Sequence, residues 1–270
     1  MHILCGVDGS GSGRAVADVA AQLADRIGGE LTLTNVTPAA ASELDALADA
    51  GGARFGRRPD VRVVHGDDAA AWLAVTAREL ACDLVVVGAT RRARRRTGAS
   101  PAGAHEALVE QLGCPVVVPP GAASPIGERI AVAHETSDTS AGAAAVAARL
   151  ATSLEASLTV IHVLADPRRH ARPVLPMHRA ARDDVEAALA GEALALRHVS
   201  AYRLPAVHLA RTVAEVAPAL LVVPTARPRR RDRFRPPVSA QVLRRASCPV
   251  VLVPRAAAMR PEQTTVAIAA

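Results

Sequence analysis

The stretch "QLADRIGGELTLTNV", Gln22 to Val36, returns 127 positions later as "RLATSLEASLTVIHV", Arg149 to Val163, without a gap. Each copy reads as the end of a helix, a turn and an apolar strand. Two more pairs keep the same order: "LVVVG" from Leu84 with "LLVVP" from Leu220, and "CPVVVPP" from Cys114 with "CPVVLVP" from Cys248. Such self-similarity, at offsets that drift little, indicates a duplicated domain. The join falls in "PPGAASPIG", Pro119 to Gly127, where prolines and small residues interrupt both periodicities. The expected division is therefore a first domain over 1–120, a linker over 121–127, a second domain over 128–256 and a frayed tail over 257–270.

Outward from Gln22, the first half reads as a strand at "HILCGV" and turn residues "DGSGSG". A helix follows from Ser12 on Val16, Val19, Ala20, Leu23 and Ile27, ended by Gly28-Gly29. After the strand "LTLTNV" come a short helix around Ala41 to Ala50, a strand "VRVVH", and a helix in "DDAAAWLAVTAREL" with Trp72, Leu73, Ala77 and Leu80 to bury. A strand "LVVVG", a helix "GAHEALVEQL" and a strand "PVVVPP" complete the half. Alternating strands and helices, with the strands apolar throughout, predict an α/β fold. Each half is a Rossmann-like, doubly wound domain whose five-stranded parallel sheet is covered by helices on both faces. Ligands of such sheets bind beyond the carboxyl ends of the strands, which gathers Asp8 to Gly13, Asn35 to Thr37 and the loop after Gly88 around one crevice.

Composition narrows the function classes. The chain has 270 residues, enough for two cores, and an aromatic share of 1%, so those cores are built of Ala, Val and Leu. All 32 basic residues are arginine, the formal charge is +6, and arginines bunch at 91–96 and 227–235. That charge suits nucleotides, nucleic acid or acidic partners. Cys5, Cys82, Cys114 and Cys248 lie in or beside apolar strands without zinc or redox spacing, and read as small buried hydrophobes in a reducing compartment. No apolar run approaches the roughly 20 residues that span a bilayer, and no signal peptide is expected, so the cytoplasm is the expected location and no membrane partner is expected.

Five motifs in order, "GVDGS", "LTLTNV", "HGD" before a helix, "LVVVGAT" and a last helix leading into "CPVVV", resemble the universal stress protein family, and the second half repeats the plan. The resemblance implies a tandem member whose halves pair as a pseudo-dimer through their last strands. It also implies an adenine nucleotide site, for ATP or a relative and with magnesium if a triphosphate. There an aspartate after the first strand and the main chain at the end of the second hold the nucleoside, and a glycine-rich loop after the fourth strand cradles the phosphates. Residue by residue, Val7, Asp8, Gly9 and Ser10 match the first element, Val36 the second, and Gly88, Thr90, Arg91, Ser100 and Gly103 the phosphate loop. Arg91 stands where the loop's second glycine belongs, so the nucleoside end is intact and the phosphate end degraded. In the second half Glu135 replaces the aspartate, Pro224 and Arg227 the loop glycines, and Pro236-Pro237 the closing pair. Proline has no N–H for a phosphate, so no nucleotide is expected there.

Three readings of the arginines stand side by side: guanidinium groups replacing glycine amides around phosphate, a basic surface for nucleic acid, or a solvated loop. Asp8 is open between ligand contact and helix cap. "GSGSG" lacks the spacing of a dinucleotide fingerprint. His65, His134, His162 and His208 are dispersed and read as packing or surface residues rather than metal ligands, and Ser10 and Ser12 lack His and Asp partners for hydrolysis. The leading expectation is a non-enzymatic tandem stress-response protein, regulatory or adaptor in role, with no catalytic residues and a nucleotide in its first half. The other is a nucleotide-free interaction module whose arginine loops meet an acidic protein partner or nucleic acid. A further homodimer of the whole chain is left open.

Overall fold

The structure, a computed structural model, describes residues 1–10, 12–65, 68–88, 101–120, 125–134, 138–164, 183, 186–187, 196–202, 205–225 and 238–255. The first half runs β1 (His2–Val7), α1 (Gly13–Ile27), β2 (Glu30–Asn35), a 3-10 turn (Pro38–Glu43), α2 (Leu44–Phe55), β3 (Asp60–Arg62), α3 (Ala69–Glu79), β4 (Leu84–Val87), α4 (Pro101–Leu112) and β5 (Val116–Val118). The second runs β6 (Arg129–His134), α5 (Asp138–Ser153), β7 (Ser157–Leu164), β8 (Leu196–Tyr202), α6 (Pro205–Val216), β9 (Leu220–Pro224), α7 (Val238–Leu243) and β10 (Val250–Val253).

All ten strands form one sheet in the order β3-β2-β1-β4-β5-β10-β9-β6-β7-β8. Within each half every neighbouring pair is parallel. The halves meet at β5 and β10, antiparallel, with Val118 opposite Val250, Val117 opposite Val251 and Val116 opposite Leu252. The two last strands thus close each other's open edge, and the doubly wound pseudo-dimer implied by the resemblance is the observed architecture. Because strand side chains alternate between faces, β1 sends Ile3, Cys5 and Val7 into a core under α1, α2 and α5, and Leu4 into a second core under α3, α4, α6 and α7. Both cores run through the two halves without a break.

The helix ends follow the sequence. Gly28 adopts a left-handed φ of 67°. Its N–H reaches Asp25 O at 3.1 Å and that of Gly29 reaches Ala24 O at 2.8 Å, the paired bonds that close a helix on a glycine. α3 begins at Ala69 because the Asp68 carboxylate accepts from the N–H groups of Ala70 and Ala71, both at 3.1 Å. Trp72 corrects the expectation that it packs in the core: it is 41% exposed, while Leu73, Ala74, Thr76 and Ala77 take the buried stripe. The small residues Ala74 and Ala77 let α3 lie close in the second core, and that close approach leaves no room for an indole.

Candidate functional site

Three strand ends of the first half make one edge. At the first, Val7 is buried and Asp8 half-buried. Asp8 Oδ1 accepts from Ser10 N at 3.0 Å, and Gly13 N donates to Ser10 O at 2.8 Å, so the chain turns tightly into α1. The turn needs Gly9: its φ is +68°, and a Cβ there would sit 3.4 Å from the Ala40 backbone. The Ser10 and Ser12 hydroxyls pair with each other at 2.8 Å.

The second strand end is stitched to the first. Val36 N donates to Val7 O at 2.7 Å, and Thr37 Oγ1 to Asp8 O at 3.0 Å. Asn35, 5% exposed, brackets the segment after β3: Oδ1 accepts from Val64 N at 2.7 Å, and Nδ2 donates to Val64 O at 2.9 Å and Thr37 O at 3.1 Å. These bonds hold the main chain at Val36 in place beside Asp8. At the third end, a Cβ on Gly88 would lie 3.2 Å from Val16 Cγ2, so glycine lets β4 end close against α1. The Gly88 carbonyl lies 3.1 Å from Nε2 of His105, which is 4% exposed on α4. A carbonyl oxygen only accepts, so this geometry assigns the Nε2 proton to the imidazole.

Val7, Asp8, Gly9, Ser10, Val36 and Gly88 therefore converge on one edge. Gly103 lies in the first turn of α4, two residues after Pro101, where helix N–H groups lack intrahelical partners. Thr90, Arg91 and Ser100 lie outside the described residues, as do both arginine runs and Glu135. Asn35 was placed at this crevice from the sequence, without a role for its side chain; His105 was not singled out at all. Asn35 carried a faint signal, a polar residue closing an apolar strand; a lone histidine inside an alanine-rich helix, such as His105, carried none.

The second half replaces this edge with different chemistry. Register opposes Val7 to Asn35 in the first half and His134 to His162 in the second. The two imidazoles are 1% and 3% exposed, with ring centroids 5.9 Å apart and planes at 65°. They pack edge to face as side chains of the core. Thr225, after β9, donates from Oγ1 to Glu110 Oε1 at 2.9 Å, and the Ser239 hydroxyl donates to Glu106. Carboxylates from α4 thus reach across to the end of β9 and the start of α7 in the second half. Burial, opposed by the Ser239 bond and aided by the Glu110 charge, raises the pKa of Glu106.

A cavity of about 150 Å³ lies at the opposite edge of the sheet, near Gly29, Glu30, Arg57, Arg58 and Asp60. There Arg57 lies 3.8 Å from Glu30, and Arg58 bonds Asp45 and Asp49, each at 2.7 Å. Burial pushes the thiols of Cys5 and Cys82 up to about 12 and that of Cys248 to about 11, so these cysteines stay protonated and inert. Among the described residues, no group of three or more His, Cys, Asp or Glu gathers to hold a metal, and no helix is long and apolar enough to cross a membrane.

The chain is similar to a universal stress protein from Archaeoglobus fulgidus DSM 4304, with 14% identity, 94% of this chain and 96% of that one covered, and a TM-score of 0.65. It is similar also to a functionally unknown protein from Pseudomonas aeruginosa PAO1, at 17% identity, 94% and 92% coverage and a TM-score of 0.64. Over 47% of its length it matches 95% of a universal stress protein solved in complex with cAMP, at 26% identity and a TM-score of 0.39. No curated protein matches the chain. The model of the "Universal stress protein family" matches twice, over residues 1–120 and 127–254. Those two spans take in nearly the whole of a duplicated, doubly wound fold, and the chain belongs to the universal stress protein family as a tandem member.

Proposed function

We propose that the first half binds one adenine nucleotide at the edge formed by β1, β2 and β4, and that the protein acts in the cytoplasm as a regulatory rather than a catalytic member of its family. The observation that carries the reading is the junction of Asp8, the main chain at Val36 and Gly88, held by the bonds of Asn35, Thr37 and His105. A carboxylate beside fixed main-chain groups supplies acceptors and donors for a nucleoside. The free N–H groups at the start of α4, with its positive dipole end, suit the phosphates, and magnesium accompanies a triphosphate. The reading assigns no general base, nucleophile or resident metal ligand, so turnover of the nucleotide is no part of it.

The second half takes no nucleotide in this reading. Its counterpart edge offers buried imidazoles where the first half has Val7 and Asn35, and two carboxylates bonded to Thr225 and Ser239, and carboxylates repel phosphate. Calorimetric titration with ATP and magnesium, after checking that no nucleotide co-purifies, is the test. One equivalent is expected, weakened about tenfold or more by Asp8→Ala, the range expected when a charged hydrogen-bonding partner is removed. No binding at millimolar ATP sinks the reading and turns the search to partners of the arginine loops.

A further inference from the structure

α4 faces two ways. His105 turns to the first half's edge and bonds the Gly88 carbonyl, while Glu106, about 100° round the helix, accepts from Ser239 of the second half. One turn on, Glu110 accepts at 2.9 Å from Thr225, whose hydroxyl proton is shared with the Val253 carbonyl at 3.1 Å. Ser239 and Thr225 are each 2% exposed, so both hydroxyls are fixed by their surroundings.

A symmetric pair of domains makes each contact twice, but these contacts run one way. Counted back from the shared Cys-Pro pairs, Glu106 and Glu110 fall opposite Ala240 of α7 and Arg244 just beyond it, neither of which can return a carboxylate. The duplication therefore kept a set of bonds by which the second half grips the helix that borders the first half's edge. Glu106 is half-buried, and without Ser239 its carboxylate would lose a bond that water only partly replaces, favouring a roll of α4 toward solvent. That roll would draw His105 from Gly88.

We infer that the second half is the positioning partner of the first: Ser239 and Thr225, through Glu106 and Glu110, hold α4 in the setting at which His105 fixes the Gly88 carbonyl at the phosphate end of the nucleotide site. The inference rests on the nucleotide reading of the first half, and gives the nucleotide-free half a task within it. Because α4 borders only the phosphate end, the signature is a selective loss of affinity for ATP with adenosine unaffected. General loosening of the fold would weaken both ligands.

The experiment measures ATP and adenosine affinities by calorimetry for the full chain, for Ser239→Ala with Thr225→Val, and for His105→Ala. Thermal melts and circular dichroism show which variants are folded. ATP is expected to weaken about tenfold in both variants, the scale of a lost charge-assisted or buried hydrogen bond, with adenosine unchanged. Ser239→Thr, which keeps the hydroxyl, and His105→Gln, which keeps an N–H for the carbonyl, are expected to recover most of the loss. Should the double variant fail to fold, Glu106→Ala puts the same question from the other side of the bond. An unchanged ratio of ATP to adenosine affinity in folded variants overturns this inference and leaves the nucleotide reading standing. A wild-type chain that binds neither ligand overturns both.

Discussion

Glu106 shows how one residue can serve an interface at a cost to stability. Burial, and then the Glu110 charge, raise its pKa against the lowering effect of the Ser239 bond. The folded chain therefore holds the proton at pH values where the unfolded chain has released it. Stability from this group is present below the ordinary carboxylate range and is lost as pH rises through the folded value. Glu106→Gln removes that loss while its amide oxygen still accepts from Ser239. The variant is expected to melt higher than wild type at pH 7 and at the same temperature near pH 4; equal melts at both would mean the carboxylate reaches water freely. Trp72 makes a second prediction at this scale. As the chain's one tryptophan, 41% exposed, it is expected to emit like indole in water and to be quenched readily by acrylamide, whereas blue-shifted, protected emission would return it to the core.

Among the elements, six helices end on a left-handed residue: glycine after α1, α2 and α4, and a residue with a side chain after α3, α5 and α6. Glu155 stands at the position of Gly28, with φ 51°; its N–H bonds Thr152 O at 3.1 Å and that of Ala156 bonds Ala151 O at 2.8 Å. Ala81 after α3 and Ala217 after α6 are also left-handed, at φ 50° and 46°. A side chain there costs about 1–2 kcal/mol, offset partly by the greater unfolded freedom of glycine. Glu155→Gly and Ala217→Gly are each expected to stabilise by about 0.5–1 kcal/mol in urea unfolding; destabilisation by either would show that the side chain makes contacts that outweigh its strain. The sequence marked the end of α1 at Gly28 but not those at Ala81, Glu155 and Ala217, since Ala and Glu are ordinary helix residues. The same limit applied to β3. "VRVVH" reads as five strand residues, but pairing stops at Arg62 because Val64 bonds the Asn35 side chain instead of the β2 backbone. Trp72 was misplaced for a related reason: where most of a helix is alanine, helical spacing alone does not choose which face is inward.

At the scale of the molecule, the repeat made two domains legible and the resemblance their pairing; in the structure two apolar last strands, whose edges water would otherwise expose, cover each other. The place of Asp8 and Gly9 at the edge of the sheet was legible because they follow a strand whose end the pattern locates. What binds the halves beyond β5 and β10 was not legible, because those bonds join residues about a hundred positions apart with no pattern between them. Arg26 is the clearest. Its Nη1 donates to Ile126 O at 2.7 Å and its Nη2 to Leu154 O at 2.8 Å, while neighbouring Gln22 accepts from Ile126 N at 3.1 Å. One guanidinium thus ties the segment joining the halves to the carboxyl end of α5, where the helix dipole also favours a cation. Removing it leaves two part-buried carbonyls without a charged donor, so Arg26→Ala is expected to destabilise by about 2–3 kcal/mol. Lysine reaches one carbonyl but lacks the fork for two, and Arg26→Lys is expected to recover roughly half of the loss. Calorimetry of both variants distinguishes a tie between halves from a local bond. If Arg26 couples them, Arg26→Ala broadens or splits the melt, because the halves then unfold less as one unit. A single transition as sharp as that of wild type, shifted by less than about 0.5 kcal/mol, would assign the coupling to the β5–β10 ladder and the shared cores alone.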